Sequence, residues 1–183
     1  MIATGKNVAR HAGARDTTVV VRPFTTSDVP LIYKWITDGR RVDRERGKEA
    51  EALLEELYQH IAASDFVNAF MLLEGTIPIC AIDVCKASQD VISLYTDCHP
   101  GDYLLSLTHG CPMLFLHGAM RMAVGYFFTY PEVGRLLVQT PVVSNEWHHL
   151  LTKCGFSIQA KIQTPFREGI VYCCTRTSYR EAI

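Results

Sequence analysis

Residues 102–139 decide the fold, and they read DYLLSLTHGCPMLFLHGAMRMAVGYFFTYPEVGRLLVQ. Residues 102–109 are typical of a strand, residues from about 115 to 130 of an amphipathic helix, and residues 134–140 of a second strand. A strand, a helix and a strand in this order predict a crossover between two parallel neighbours. The loop before the helix, CPMLFLHGA (111–119), has leucine and phenylalanine where a pyrophosphate-binding turn would have glycines.

The rest of the chain predicts an antiparallel sheet with helices packed against it. We expect helices at 27–36, 49–63 and 145–154, with Ser27 capping the first, and an exposed charged loop at 38–50. We expect strands at 17–24 and 91–96, a hairpin at 66–75 and 77–87, and a closing hairpin at 156–163 and 169–177. Gly155 is placed to end the helix at 145–154. These elements predict a mixed α/β fold: one domain at 17–183 with one central parallel strand pair and about four helices, after a flexible tail at 1–16.

Bulk composition excludes several classes of protein. The chain has 183 residues, a net charge of −1, and 48% hydrophobic and 20% charged residues. This balance predicts a single globular domain without affinity for nucleic acid or an anionic membrane, and no apolar run is long enough to span a bilayer. The seven cysteines show no zinc-ligand spacing and predict reduced thiols in the cytoplasm, namely Cys80, Cys85, Cys98, Cys111, Cys154, Cys173 and Cys174.

Several short strings resemble one family of enzymes. They are VVVRPFTTSDVPLIYKWITD (19–38), PGDY (100–103), YFFTYPEVGRLLVQTP (126–141), SN (144–145) and KCGF (153–156). Their order and spacing resemble the acyl-CoA-dependent N-acyltransferase (GNAT) fold over about residues 17–177. The similarity is greatest to the branch that acylates hydroxylated diamines such as N-hydroxylysine in siderophore assembly, and extends to aminoglycoside 6′-N-acetyltransferases. It implies acetyl-CoA or another acyl-CoA as co-substrate, a small amine or hydroxylamine as acceptor, no metal, and a homodimer as one option through the hairpin at 156–177.

The resemblance implies that the donor binds at the start of the helix after residue 110. The implied positions are Leu114, Phe115, Leu116, His117 and Gly118, with Asn145 or its neighbour Ser144 further along. The two turn glycines of the family fall on Leu114 and Leu116. A backbone N–H still donates from a leucine, but the side chain occupies space that a phosphate would need. We therefore also consider that residues 113–116 pack as hydrophobic side chains and close the donor slot.

The resemblance also implies catalytic and acceptor positions. The histidine that the family carries on this strand falls on Ser106, which cannot act as a base near neutral pH. His109 lies three residues on and points to the opposite face of a regular strand. Trp35 and Asp83 are the expected acceptor contacts, with a core tryptophan and a hydrogen-bonded strand residue as the alternatives. Asp97 and Asp102 flank a turn and are interpreted as turn and solvation groups.

Three interpretations of function follow from these positions. The first is acyl transfer to an amine or hydroxylamine, with proton removal assisted by substrate or water. The second is a degenerate, non-catalytic binding or interaction protein with a filled-in CoA site. The third is an acyltransferase that uses another donor or another site.

Overall fold

The described part of the chain forms one eight-stranded sheet with helices on both faces. A computed structural model describes residues 9–12, 18–37, 44–142, 145–165 and 168–183. The strands are β1 (Ala9–Ala12), β2 (Thr18–Pro23), β3 (Val67–Glu74), β4 (Ile77–Lys86), β5 (Asp102–His109), β6 (Arg135–Pro141), β7 (Ser157–Gln163) and β8 (Glu168–Thr175). The helices are α1 (Val29–Thr37), α2 (Arg44–Ala62), α3 (Met113–Phe127), α4 (Asn145–Lys153) and α5 (Arg176–Glu181).

The strand order is β1-β2-β3-β4-β5-β6-β8-β7, and only β5 and β6 are parallel. All other neighbouring strands pair antiparallel. The predicted α/β class, the central parallel pair and the crossover through α3 are therefore confirmed. None of the described helices is both long and apolar enough to cross a bilayer.

The two faces of the sheet bury separate sets of side chains. On one face α3 and α4 cover the central strands, and the predicted stripe of α3 is fully buried, namely Leu116, Ala119, Met120, Ala123 and Phe127. On the other face α1 and α2 pack on β3 and β4 around Ile32, Tyr58 and Met71. A third cluster on that face lies further along the sheet, around Leu104 and Leu137. β5 therefore carries one row of side chains toward α3 and one toward the face of α1 and α2.

Several local predictions were wrong. Residues 91–94 form a 3₁₀ helix rather than a strand, because the Asp90 side chain accepts a hydrogen bond from the Ile92 N–H and starts a helical turn. The first helical turn is capped by Thr25, not Ser27, and Asp28 completes the cap by accepting from the Thr25 N–H. Helix α2 begins at Arg44, inside the predicted charged loop; residues 38–43 lie outside the described part of the chain.

The two ends of the domain also differ from expectation. Ala9–Ala12, within the predicted flexible tail, form β1 and pair antiparallel with β2. At the other end Arg176 and Thr177 belong to α5 rather than to a strand, because the Thr175 hydroxyl caps the helix by accepting from the Ser178 N–H.

Asp102 is a buried structural residue and not a solvated turn group. Its carboxylate accepts from Arg135 Nε at 2.7 Å and from Arg135 Nη2 at 2.5 Å, and it also accepts from the His99 N–H at 2.7 Å. Burial alone would raise the pKa of Asp102, but the hydrogen bonds from Arg135 and His99 outweigh it and lower the pKa. Since Asp102 and Arg135 are also the first paired residues of β5 and β6, this ion pair fixes the start of the parallel pair.

Candidate functional site

The two parallel strands separate before they end. Their pairing runs from Asp102 with Arg135 to Leu105 with Val138. β5 then continues to His109, paired only with β4, and β6 continues to Pro141, paired only with β8. Residues 106–109 and 139–141 therefore flank a gap at the centre of the sheet. Their backbone groups on the gap side lack a ladder partner, which leaves them available to a ligand that enters between the strands.

Helix α3 begins four residues after β5, next to this gap. Pro112 stands at its N-cap position, and the Phe115 N–H donates to the Pro112 carbonyl at 2.9 Å. The N–H groups of Met113 and Leu114 belong to the first turn, where a helix has no internal acceptors for them, and the helix dipole is positive there. An anion is the ligand that such a turn favours.

Two hydrophobic residues of this turn differ in how they pack. Leu116 is fully buried in the core under α3, whereas Phe115 keeps 57% of its surface in solvent. Leu116 therefore packs as a core side chain, as that alternative expects, and Phe115 does not. The side chain of Leu114 lies outside the described part of the structure.

The other residues expected at the donor site lie nearby on α3 and α4. Gly118 is exposed, and a Cβ added there would meet nothing within 4 Å. His117 is half-buried, and its ring Nε2 is buried without a hydrogen-bond partner among the described residues. Asn145 is the exposed first residue of α4. Gly118 and Asn145 are thus open to solvent, whereas His117 Nε2 is enclosed.

His109 lies on the α3 and α4 face of the gap. Its ring packs edge-on against Trp147 of α4, with 5.7 Å between centroids. Its Nδ1 lies 2.9 Å from the Cys111 carbonyl, so that nitrogen must carry the proton and donate. The expectation that His109 and Ser106 point to opposite faces agrees with this contact, because Ser106 lies beside Asp83 on the other face. His109 therefore cannot share a proton directly with Ser106.

The face of α1 and α2 carries three of the predicted site residues, Ser106, Asp83 and Trp35. Ser106 of β5 and Asp83 of β4 are register partners on the same face, and Ser106 is exposed. Trp35 lies against the end of β5, since a Cβ added to Gly110 would come within 1.9 Å of the indole Nε1. The structure thus pairs Asp83 with Ser106 and places Trp35 on the same face, four residues further along the chain at Gly110.

Asp83 is the chemically unusual member of this group. Its Oδ1 is buried and has no hydrogen-bond partner among the described residues. Burial raises the pKa of Asp83 to about 6. In the described part of the chain no lysine, arginine or histidine forms an ion pair with it. A carboxylate in this state is a ready acceptor for a cation or for a proton.

Sequence reasoning missed a hydroxyl group at the far side of the gap. Tyr172 of β8 is buried, and its hydroxyl lies 3.1 Å from His148 Nδ1 on α4. Burial raises the pKa of Tyr172, and a hydrogen bond with Thr140 partly offsets this. Thr140 is itself buried on β6 beyond the last parallel pair. Nothing in the sequence marks Tyr172 beyond its place in a strand, because the contact depends on how α4 packs.

No group of three metal-ligating side chains occurs among the described residues.

Known proteins share this architecture. The chain is similar to an uncharacterized protein from Bacillus halodurans, with a TM-score of 0.84 and 13% identity over 97% of this chain and 94% of that one. It is similar to AAC(6')-Ib in complex with ribostamycin and coenzyme A, with a TM-score of 0.73 and 19% identity over 88% and 96%. A chimera of the spermidine N-acetyltransferase SpeG from Vibrio cholerae and hSSAT gives a TM-score of 0.68 and 14% identity over 88% and 98%.

These likenesses, all below 25% identity, show the fold. Among curated proteins no sequence matches. Residues 25–164 of the 183-residue chain match the acetyltransferase (GNAT) domain family. The chain therefore belongs to the GNAT acetyltransferase family.

Proposed function

We propose that this protein transfers an acyl group from acyl-CoA to the nitrogen of a small amine or hydroxylamine. The observation that carries the proposal is the opening of the parallel pair after Leu105 and Val138. The gap has the start of α3 on one face and the Asp83–Ser106 pair on the other. A donor and an acceptor can therefore approach one point of the sheet from opposite sides. Structures of AAC(6')-Ib with coenzyme A and with acetyl-CoA support this choice of donor.

The chain's own groups fit such a donor despite the missing glycines. The first-turn N–H groups of Met113 and Leu114 would bind the pyrophosphate, since a helix start attracts anions. The gap-side backbone of residues 106–109 would hold the extended pantetheine arm by strand-like hydrogen bonds. When bound, the donor supplies an activated thioester carbonyl. The residues around the gap orient that carbonyl and exclude water from it.

We propose an acceptor of the siderophore type, a hydroxylamine on a short alkyl chain, as the first class to screen. The resemblance of the strings around residues 100–103 and 126–156 to that branch supports it. Relatives of the same fold include enzymes named for aminoglycosides and for spermidine, so cationic amines form the second class. The exposed Ser106 beside Asp83 leaves room for either nitrogen nucleophile.

A non-catalytic protein with the same fold is the alternative, and the donor turn favours it. Pro112 supplies no N–H, and the Phe115 N–H is already bonded to the Pro112 carbonyl. Two of the donors that an anion would use at a glycine-rich turn are therefore missing or engaged. A chain that has lost CoA affinity would keep the fold and the gap but bind a different molecule there.

Titration with coenzyme A separates the two functions. The Trp35→Phe variant leaves Trp147, which packs on His109 near the gap, as the only tryptophan. We expect binding of CoA and acetyl-CoA in the micromolar range by calorimetry, which corresponds to roughly −8 kcal/mol. We also expect a change in Trp147 emission with the same midpoint. Absence of heat, emission change and thermal shift at millimolar CoA would sink the enzymatic proposal and leave the alternative.

We also propose that the protein works as a homodimer in the cytoplasm. β7 is the outer strand of the sheet at the end nearer β6, and its Ile158 is 48% exposed. An outer strand with exposed apolar side chains favours pairing with another chain. All seven cysteines are free thiols, which suits a reducing compartment. Sedimentation velocity of the wild type and of an Ile158→Lys variant tests the dimer; a wild type that stays monomeric at high concentration would rule it out.

A further inference from the structure

Asp83 lies on the sheet face of α1 and α2, where its strand β4 has a neighbouring strand on either side. Ala69 of β3 pairs with it on one side and Ser106 of β5 on the other. Along its own strand Ala81 and Cys85 flank it on the same face, each part of a different hydrophobic cluster. Asp83 therefore lies between the cluster that contains Ala81 and the cluster that contacts Cys85. Of its two register partners, Ser106 is exposed, so the way in from solvent passes over Ser106.

None of the residues that the structure describes places a positive charge beside Asp83. The Asp83 charge raises the pKa of three nearby groups, Tyr58 of α2 and Cys80 and Cys85 of β4. Burial is the main cause that raises the pKa of each, and the nearby Asp83 charge raises it further, so all three are neutral near pH 7. Burying an unpaired carboxylate among neutral groups is costly, and a fold that keeps one leaves a binding position for a cation.

We propose that Asp83 binds the ammonium group of a charged acceptor and accepts one of its protons, so that charged amines depend on Asp83 and uncharged hydroxylamines do not. This inference rests on the proposed acyl transfer. It assigns the proton acceptor to β4 rather than to Ser106 or His109 on β5. Ser106 is a neutral hydroxyl, and the His109 ring lies on the opposite face with its Nδ1 proton donated to Cys111.

The transfer removes two protons from the acceptor nitrogen and breaks the C–S bond of the donor. The acceptor enters as R–NH₃⁺ and Asp83 as a carboxylate; one N–H proton passes to the carboxylate, which leaves R–NH₂ and a neutral acid. The nitrogen lone pair forms the C–N bond to the thioester carbon, and the C–S bond breaks with its electron pair on sulfur. The nitrogen then loses a second proton, and the thiolate gains one. The products are the amide, the free thiol and protonated Asp83, which releases its proton to water.

A matched pair of acceptors tests this role. n-Butylamine is protonated at neutral pH, whereas N-butylhydroxylamine has the same chain and an unprotonated nitrogen. We expect Asp83→Asn to lower kcat/KM for n-butylamine by about 100-fold or more, the usual range for a lost general base. For N-butylhydroxylamine the loss should stay within about threefold. Asp97→Asn, at an exposed carboxylate outside the site, is the control and should change neither value.

The pH profile gives a second readout that a structural role would not change. With n-butylamine we expect kcat/KM of the wild type to fall below about pH 6, because the acid limb reports the essential base in the free enzyme. In Asp83→Asn this limb should be absent. Equal loss for both acceptors in Asp83→Asn, or an unchanged acid limb, would overturn the inference.

Carboxyl NMR separates this inference from the proposed function. With ¹³C-labelled aspartate, the Asp83 signal is identified by its absence in Asp83→Asn. We expect its titration midpoint to fall when n-butylamine is added at saturating concentration, with or without CoA. A midpoint that does not respond would refute ammonium binding at Asp83 even in an active enzyme. A protein that binds no CoA would refute the acyl transfer, and the proton-transfer step with it, while the NMR result still decides whether Asp83 binds the amine.

Discussion

Replacing Asp102 with asparagine tests the ion pair at the closed end of the parallel pair. The Asp102 carboxylate is 1% exposed, and Arg135 holds it with two hydrogen bonds of 2.7 and 2.5 Å. Asparagine keeps the shape but loses the charge, and it turns one acceptor into a donor that faces a guanidinium. Breaking a buried pair costs about 3–5 kcal/mol, and Arg135 can recover some hydration because its side chain is 25% exposed. We therefore expect the free energy of unfolding to fall by about 2–4 kcal/mol.

The same ion pair gives the loss a defined pH dependence. The pKa of Asp102 in the folded protein lies below its ordinary value, because hydrogen bonds from Arg135 and His99 outweigh burial. A carboxyl whose folded pKa is depressed contributes fully above its unfolded pKa of about 3.9. Its contribution is lost as the pH falls through the folded pKa. The difference between wild type and variant should therefore be constant from about pH 8 to pH 5 and shrink below about pH 4.

Urea unfolding followed by circular dichroism measures both effects. The free energy of unfolding is compared for wild type, Asp102→Asn and Asp97→Asn at pH 7, 5 and 3. Asp97 lies on the same turn but is exposed, so its variant should stay within about 0.5 kcal/mol of the wild type. A loss under about 1 kcal/mol in Asp102→Asn at pH 7 would refute the structural role of the pair. So would a loss of the same size at pH 3.

Two further substitutions test the packing around the donor turn and the end of α4. Leu116→Ala should lower the free energy of unfolding by about 3–5 kcal/mol in urea because the side chain is fully buried, whereas Phe115→Ala should change it by less than about 1 kcal/mol. Equal losses would contradict the orientation of the first turn of α3. Gly155→Ala should lower the melting temperature by several degrees, since Gly155 has φ +86° and a Cβ would lie 2.7 Å from the Ser178 carbonyl oxygen. An unchanged melting temperature would mean that α4 ends differently.

The sequence predicted those elements whose stability is local. β5 was predicted at its observed bounds, and the buried stripe of α3 follows directly from helical periodicity. The strand predicted at 91–96 was wrong because its β-branched composition competes with a local cap. The Asp90 side chain provides that cap and favours a 3₁₀ turn. Helix α2 was started too late because charged residues look the same in a loop and in an exposed first turn.

The candidate site could be predicted only in part from the sequence, because its contacts depend on the register between strands that are distant in the chain. Asp83 and Ser106 were singled out separately, but the fifteen or so residues between β4 and β5 leave their pairing undefined in the sequence. The contact of Trp35 with Gly110 depends on where α1 packs against β5. The gap between β5 and β6 likewise depends on backbone divergence, which no side-chain pattern specifies.

Two aspartates on neighbouring central strands have pKa values shifted in opposite directions. Asp102 begins β5, and Arg135 stabilises its charge, so its pKa falls and the carboxylate holds the closed end of the strand pair. Asp83 lies on β4 beside the open end, where burial raises its pKa to about 6 and no described residue forms a hydrogen bond with Oδ1. Protonation would weaken the first site and relieve the second, so the two respond to acid with opposite sign. Our proposal for Asp83 follows from this contrast, because among the described residues no group compensates its charge and a bound cation or a proton would do so.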